Sequence, residues 1–332
     1  MVRMKTIKIG VIGAGHLGAS HIRNLQTIEG VELVGFHDID KNRANEVSKS
    51  SKSKFYESRS ELLGLVDAVS IVTPTKTHYE IASDAIRKGL NIFIEKPICY
   101  IPDEARKLVE LAGSKDCVLQ VGHIERFSGA YQAIAHKNLN PMFVECHRLM
   151  EFQPRNLDVA VVHDLMIHDI DLVLHMTGSK PIKIDASGVS VITNSVDIAN
   201  ARLTFAGGCV ANLTASRISQ KGMRKMRIFQ SNSYITLDFL NQETHIYGIG
   251  DSGMTENGQK ISEIKLGDIT KEIYLEATNI VEDNPLLAEL EAFIRSIRTG
   301  EEPPVTGEDG LAALEVASEI ISTINEGPTD PN

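Results

Sequence analysis

Residues 6–18 read TIKIGVIGAGHLG and join a strand-like run to a glycine turn and the start of a helix. The turn carries Gly13, Gly15 and Gly18 in the spacing GxGxxG. In this spacing the first glycine allows a tight turn, the second lets the backbone approach a pyrophosphate, and the third lets the helix pack on the strand. The stretch therefore predicts a dinucleotide-binding unit. The predicted cofactor contacts in it are Gly13, Ala14, Gly15, His16, Leu17 and Gly18.

A second strand-like run, VELVGFHD, ends at Asp38, twenty residues after Gly18. A carboxylate at this place can accept hydrogen bonds from both ribose hydroxyls of NAD and would repel the 2′-phosphate of NADP. The strand, the helix and this acid together favour a dinucleotide site over a plain glycine-rich turn. We predict NAD as the cofactor, while the nearby Lys41 and Arg43 leave NADP open as the less favoured alternative.

The alternation of strands and helices continues beyond Asp38. Residues 68–73, 91–95 and 117–122 read as buried strands. Ser58 with Glu61, and Thr77 with Glu80, are spaced as capping boxes that open the intervening helices. This βαβ series predicts an α/β fold with a doubly wound parallel sheet over residues 1–122.

Polar residues follow two of these predicted strands. Ligands of open α/β sheets bind outside the carboxyl ends of the strands. We therefore predict that TPTKTHYE and EKP contribute to the cofactor site through Thr73, Pro74, Thr75, His78, Glu95 and Lys96. For Lys96 alone, a surface lysine after an edge strand would explain the sequence equally well.

The second half of the chain changes character. One strand-like run covers 142–149, and beyond Gly178 strand-like runs dominate from residue 182 to about 249 without crossover helices, which predicts an open, mostly antiparallel sheet in an α+β domain over 123–332. Two helices follow near the C-terminus and could pack back on the first domain. Residues 161–176, VVHDLMIHDIDLVLHM, predict a buried helix with a narrow polar stripe. The stripe carries Asp164, His168, Asp171 and His175, either for function or as polar partners within the core.

Composition narrows the classes of protein. The 332 residues favour two domains. The sequence has no run of about 18 apolar residues and no separate signal segment, so we expect a cytoplasmic protein without a membrane span. Four scattered cysteines fit reduced thiols and argue against a metal site, and we predict none. The net charge of −10 disfavours nucleic acid and anionic membranes as partners.

These motifs, in this order, resemble the Gfo/Idh/MocA oxidoreductase superfamily of glucose–fructose oxidoreductase, inositol dehydrogenase and rhizopine catabolism proteins. The resemblance implies a Rossmann domain and a substrate-binding domain that also forms a subunit interface, hence a homodimer or homotetramer. It implies that Lys96 contacts the cofactor and the reacting hydroxyl. It also implies that Asp164 and His168 contact the substrate, with Met166 in place of the usual glycine of the DxGxHxxD motif.

Within this superfamily VGHIERF, HRL…F.PR and DLMIHDIDLVL are most similar to UDP-N-acetylglucosamine 3-dehydrogenases, which serve lipopolysaccharide or surface-glycan biosynthesis. A sugar-nucleotide substrate would need cationic groups for its diphosphate. A basic cluster, defined by Arg217, Lys221, Arg224, Lys225 and Arg227, could supply them, or it could be a soluble sheet edge. The predicted substrate contacts are Arg126, Arg148, Arg155 and Arg224.

The resemblance predicts NAD-dependent oxidation of a secondary hydroxyl. His168 would act as the base, Asp164 would orient it, and Lys96 would stabilise the developing alkoxide. Whether Lys96 or His168 takes the proton first stays open. The alternatives are a dehydrogenase or reductase of a free sugar or polyol, and an NAD(P)-sensing regulator without catalysis.

Overall fold

A computed structural model describes residues 6–153, 159–250, 258–266, 269–278 and 284–326. The chain divides into two compact units. The first consists of residues up to 124 together with 284–314, and the second of 125–283 together with the residues from 315 onward. The first unit therefore combines the predicted cofactor-binding segment with a later part of the chain.

The first unit contains a parallel sheet of five strands in the order β2-β1-β3-β4-β5. Its strands are β1 (Ile7–Ile12), β2 (Val31–His37), β3 (Ala68–Ile71), β4 (Asn91–Glu95) and β5 (Leu119–Gly122). The helices between them are α1 (His16–Leu25), α2 (Lys41–Ser51), α3 (Arg59–Leu63), α4 (His78–Arg87) and α5 (Pro102–Ser114). The predicted doubly wound parallel sheet is confirmed. Strands β3 and β5 are buried along their whole length, as expected of parallel strands covered on both faces.

The two predicted capping boxes have different outcomes. The Ser58 hydroxyl accepts a hydrogen bond from the Glu61 amide at 3.3 Å and caps α3. The prediction for Thr77 is wrong, because residues 75–77 form a 3₁₀ turn and the Thr77 hydroxyl donates to the Pro74 carbonyl at 2.8 Å. Helix α4 therefore begins without a side-chain cap.

The second unit is built on a nine-stranded sheet, counted over the described ranges, in the order β13-β14-β12-β11-β10-β6-β9-β8-β7. Its strands are β6 (Phe143–Leu149), β7 (Lys183–Val189), β8 (Ile198–Thr204), β9 (Val210–Ser216), β10 (Met223–Gln230), β11 (Ser233–Asp238), β12 (Glu243–Gly250), β13 (Gln259–Leu266) and β14 (Ile269–Ala277). Only β6 and β9 pair in parallel among these described strands, so the predicted mostly antiparallel sheet is confirmed. The pair β13 and β14 was not predicted.

Among the described residues, four α-helices lie near these strands in the sequence: one precedes β6, one lies between β6 and β7, and two follow β14. They are α6 (Gly129–Ala135), α7 (Ile167–Thr177), α8 (Pro285–Thr299) and α9 (Gly307–Glu326). Asn284 caps α8 by accepting a hydrogen bond from the Leu287 amide at 3.2 Å, and Gly300 ends it with a positive φ of 72°. Over the described residues, no helix combines the length and apolarity that crossing a bilayer requires.

Candidate active site

The glycine turn between β1 and α1 has the shape that a pyrophosphate site needs. Gly13 has a φ of +96°, and a Cβ there would lie 2.4 Å from the Val72 carbonyl oxygen. A Cβ on Gly18 would lie 2.0 Å from the Gly13 oxygen, so both positions require glycine. By contrast, no atom lies within 4 Å of a Cβ built on Gly15. The turn therefore leaves open space beside the N-terminus of α1, where backbone amides attract phosphate.

Asp38 follows β2 and is joined to this turn. Its Oδ2 accepts a hydrogen bond from the Ala14 amide at 2.6 Å, and its Oδ1 accepts one from the Asp40 amide at 2.8 Å. Each oxygen keeps a further lone pair with which it can accept a ribose hydroxyl. The Arg43 Nη1 lies 3.8 Å from Asp38 Oδ2. His16 and Leu17 are exposed at the start of α1.

His78 connects the two segments that follow β3 and β4. Its side chain is 1% exposed. Its Nδ1 lies 2.9 Å from the Pro97 carbonyl oxygen and its Nε2 lies 2.8 Å from that of Thr73. Burial lowers the pKa of His78, although the two carbonyls and the Glu95 carboxylate act in the opposite direction. Its contacts favour a role in holding Thr73 and the Lys96–Pro97 segment in place.

Glu95 is the last residue of β4 and is bonded to a histidine that the sequence analysis missed. The Glu95 Oε1 lies 3.0 Å from His21 Nε2, and His21 Nδ1 lies 2.8 Å from the Ser70 hydroxyl. Lys96 follows directly and is half-buried. A signal for His21 was present, since it lies three residues after Gly18 beside Ile22, on the buried side of an amphipathic helix.

In the second unit, the segment predicted as one helix over 161–176 begins with a π-helical turn at Val162–Met166, and α7 follows. Such turns are rare and occur frequently at functional sites. His163, Asp164 and His168 are half-buried, whereas Asp171 is buried and His175 is exposed. Asp164 and His168 stay about one helical turn apart, but the four residues of the predicted polar stripe differ in how far they are exposed to solvent.

Three carboxylates of this unit hold two buried arginines. Arg126 binds Asp171 through two hydrogen bonds of 2.6 and 2.8 Å. Arg148 binds Asp169 through bonds of 2.8 and 3.0 Å, and donates to Glu125 at 2.6 Å. Although burial opposes its charge, these carboxylates raise the pKa of Arg148. These contacts favour a role of Arg126 and Arg148 in fixing α7, and their substrate role stays a prediction.

The basic cluster is divided between the two faces of the sheet. Arg224 lies opposite the buried Arg148 in the pairing of β10 with β6, so both project to the same face. Lys225 and Arg227 project to the other face, where they form ion pairs with Asp238 at 3.0 Å and Glu145 at 2.9 Å. Lys225 and Arg227 therefore cannot join Arg224 in one site on this sheet. Arg155 lies outside the described residues.

Comparisons with known proteins identify the family. Residues 7–123 match the model "Oxidoreductase family, NAD-binding Rossmann fold", and residues 134–236 match the "GFO/IDH/MocA C-terminal domain". The chain is 37% identical, over 96% of its length and 97% of the relative's, to UDP-N-acetylglucosamine 3-dehydrogenase of Acidithiobacillus ferrooxidans. The chain belongs to the Gfo/Idh/MocA family.

Two further matches agree with this assignment. A solved structure of the Acidithiobacillus ferrooxidans enzyme has a TM-score of 0.86 at 36% identity, and the match covers 96% of this chain and 97% of that one. Myo-inositol 2-dehydrogenase of Thermotoga maritima is 27% identical over 93% of each chain. This Gfo/Idh/MocA protein is thus an oxidoreductase acting on CH–OH groups, and its first unit is an NAD-binding Rossmann domain.

Proposed function

We propose that the protein uses NAD to oxidise a secondary hydroxyl of a sugar nucleotide. The proposed substrate is UDP-N-acetylglucosamine, and the hydroxyl oxidised is the one on C3. The observation that carries this proposal is the 37% identity over 96% of the chain to a 3-dehydrogenase of that substrate. A sequence match of this extent covers both units of the chain and not the cofactor domain alone. The chain also retains Lys96, Asp164 and His168, which a protein that only senses NAD would not need.

Each of the three residues has a defined task in this proposal. His168 accepts the proton of the substrate hydroxyl, because an imidazole titrates near neutral pH. Asp164, about one turn earlier, orients His168 or binds a neighbouring hydroxyl. The Lys96 ammonium stabilises negative charge that develops on the substrate oxygen. NAD, when bound, supplies the hydride acceptor.

The substrate diphosphate is the second part of the proposal. Arg224 is the candidate from the basic cluster, because it shares a sheet face with Arg148 and not with Lys225 and Arg227. The similarity to myo-inositol 2-dehydrogenase supports one rival, oxidation of a free polyol or sugar. A homodimer or homotetramer and a cytoplasmic location stay predictions.

Two variants test the assignment of the catalytic residues. We expect Lys96→Met and His168→Ala to lose about two orders of magnitude or more in the rate of NADH formation, since general acid–base groups contribute on that scale. Both should still bind NADH, measured by fluorescence titration, because the glycine turn and Asp38 are untouched, although Lys96→Met removes one predicted cofactor contact. Rates close to the wild-type value in both variants would refute the assignment.

A further inference from the structure

A chain of hydrogen bonds within the first unit connects three elements behind the end of β4. His21 of α1 lies between Ser70 of β3 and Glu95 of β4, at 2.8 and 3.0 Å respectively. The imidazole is completely buried, and its ring meets the ring of Phe93 edge-on at a centroid distance of 5.4 Å. Packing and hydrogen bonds therefore fix both the position and the rotation of the ring.

The chemistry of the three groups gives the chain a direction. A carboxylate oxygen only accepts hydrogen bonds, so Nε2 of His21 is protonated and donates a hydrogen bond to Glu95. In the neutral imidazole, Nδ1 is then an acceptor for the Ser70 hydroxyl. The Glu95 carboxylate thereby selects the tautomer, and the Ser70 hydroxyl donates to the remaining ring nitrogen and holds the imidazole against Glu95. A hydrogen bond on one ring nitrogen commonly sets the role of the other in this way.

Gly122 leaves the space that this carboxylate occupies. Gly122 pairs with Glu95 in the register of β4 and β5. A Cβ on residue 122 would lie 2.9 Å from Glu95 Oε2 and 3.0 Å from its Cδ. Any side chain at this position would displace the carboxyl group, so the neighbouring strand and His21 together determine where it lies.

The sheet order indicates which part of the cofactor lies at this place. Asp38, the acceptor for the adenosine ribose, follows β2, and the glycine turn that receives the pyrophosphate follows β1. In the order β2-β1-β3-β4-β5, a dinucleotide that continues in this direction brings its nicotinamide half to the ends of β3 and β4. Glu95 ends β4, and Lys96 is the next residue.

We propose that His21 and Ser70 are positioning residues for the nicotinamide half of NAD. They act by holding the Glu95 carboxylate, and with it the start of the Lys96–Pro97 segment, at the end of β4. The role of Lys96 in catalysis rests on the proposed function. The effect on cofactor binding rests only on the NAD-binding domain, so the two can be tested apart.

The test compares two ligands in the full-length protein by calorimetric titration. NADH contains the nicotinamide riboside, and ADP contains only the adenosine diphosphate half. We expect Ser70→Ala and His21→Phe to weaken NADH about tenfold and ADP less than twofold, as loss of one orienting hydrogen bond can account for such a change. His21→Phe keeps an aromatic ring against Phe93, and Ser70→Ala keeps the proposal testable if that variant does not fold.

Ser83→Ala is the matched control. Ser83 lies in α4, is 2% exposed, and its hydroxyl has no hydrogen-bond partner among the described residues. It should change neither affinity. Equal weakening of NADH and ADP by Ser70→Ala would show a general loss of structure and overturn the proposal, as would unchanged affinity for both. The result needs no substrate, so it stands or falls separately from the reaction.

Discussion

At the scale of single residues, Asp197 determines the conformation of the loop before β8. It is fully buried, and its Oδ2 accepts hydrogen bonds from the amides of Val191, Ile192 and Thr193 at 2.7 to 2.9 Å. Burial alone would raise the pKa of Asp197. The three amides and the Thr193 hydroxyl outweigh that effect and lower the pKa to about 2.

This lowered pKa predicts a defined pH dependence of stability. Because the folded state favours the ionised form, the contribution of Asp197 is complete above its ordinary pKa of 3.8 and is lost as the pH falls from about 4 to about 2. We expect Asp197→Asn to lower the free energy of unfolding in urea by roughly 2 kcal/mol at pH 7. The difference from the wild type should shrink below pH 4.

Asp185→Asn provides the control for this measurement. Asp185 lies in β7 and its side chain is 51% exposed in a surface ion pair with Lys183. Such pairs contribute little, so this variant should stay close to the wild type. A difference between Asp197→Asn and the wild type that is the same at pH 7 and pH 3 would contradict the assigned pKa.

The residues of the glycine turn were predictable because a local motif defines them. Gly13 and Gly18 meet steric demands that arise within the glycine turn and from the chain just after β3, and Gly15 leaves open space beside the turn. The bond from the Ala14 amide to Asp38 was not predicted, because its partners lie 24 residues apart. His21 was not predictable in its role, because its partners lie 49 and 74 residues away and only the folded sheet brings them together.

At the scale of elements, buried ion pairs attach α7 to its surroundings in the second unit. Arg126 and Asp171 are 5% and 1% exposed in their side chains and form a two-bonded pair. Removal of one partner from a buried ion pair costs about 3 to 5 kcal/mol. We therefore expect Arg126→Met to destabilise the protein by that amount in urea unfolding.

The double variant Arg126→Met/Asp171→Leu separates charge from packing. It replaces both charged side chains with apolar ones and should recover much of the stability lost in the single variant. A double variant as unstable as Arg126→Met would contradict this account. It would mean that other contacts of Arg126, among them His175 at 3.1 Å, carry the stability.

Side chains of β10 alternate between the two faces of the sheet, so we expect only the residue of the basic cluster that shares a face with Arg148, namely Arg224, to contact substrate. We expect Arg224→Ala to raise the KM for a sugar nucleotide about tenfold, and to leave the KM for a free sugar unchanged, because only the nucleotide carries a diphosphate. Arg227→Ala, on the opposite face in an ion pair with Glu145, is the control and should change neither KM. Equal effects of both variants on KM, or no effect of either, would contradict a diphosphate contact of Arg224.

Most elements were predictable from periodicity, and the exceptions have physical causes. β4 has the predicted bounds of 91–95, since its apolar run ends at a charged pair. β13 was missed because its residues 259–265 are exposed and lack a buried face that would give an alternating pattern. The π-helical turn at Val162–Met166 was also missed. The periodicity of an apolar helix does not distinguish one wider turn.

At the scale of the whole molecule, the residues proposed for catalysis are distributed over both units of the chain. Lys96 belongs to the first unit, and Asp164 and His168 belong to the second. The match to the Acidithiobacillus ferrooxidans enzyme covers 96% of the chain and therefore extends over both units. The central claim is that this protein transfers a hydride from the sugar nucleotide to NAD.

The most direct test is the absorbance of NADH after the enzyme, NAD and UDP-N-acetylglucosamine are mixed at nearly equal concentrations. Stoichiometric enzyme is needed because oxidation of a secondary alcohol by NAD is unfavourable at neutral pH. We predict NADH formation that increases when a carbonyl trap removes the keto product. If no NADH forms while the same preparation binds NADH tightly, the claim that this sugar nucleotide is the substrate is contradicted.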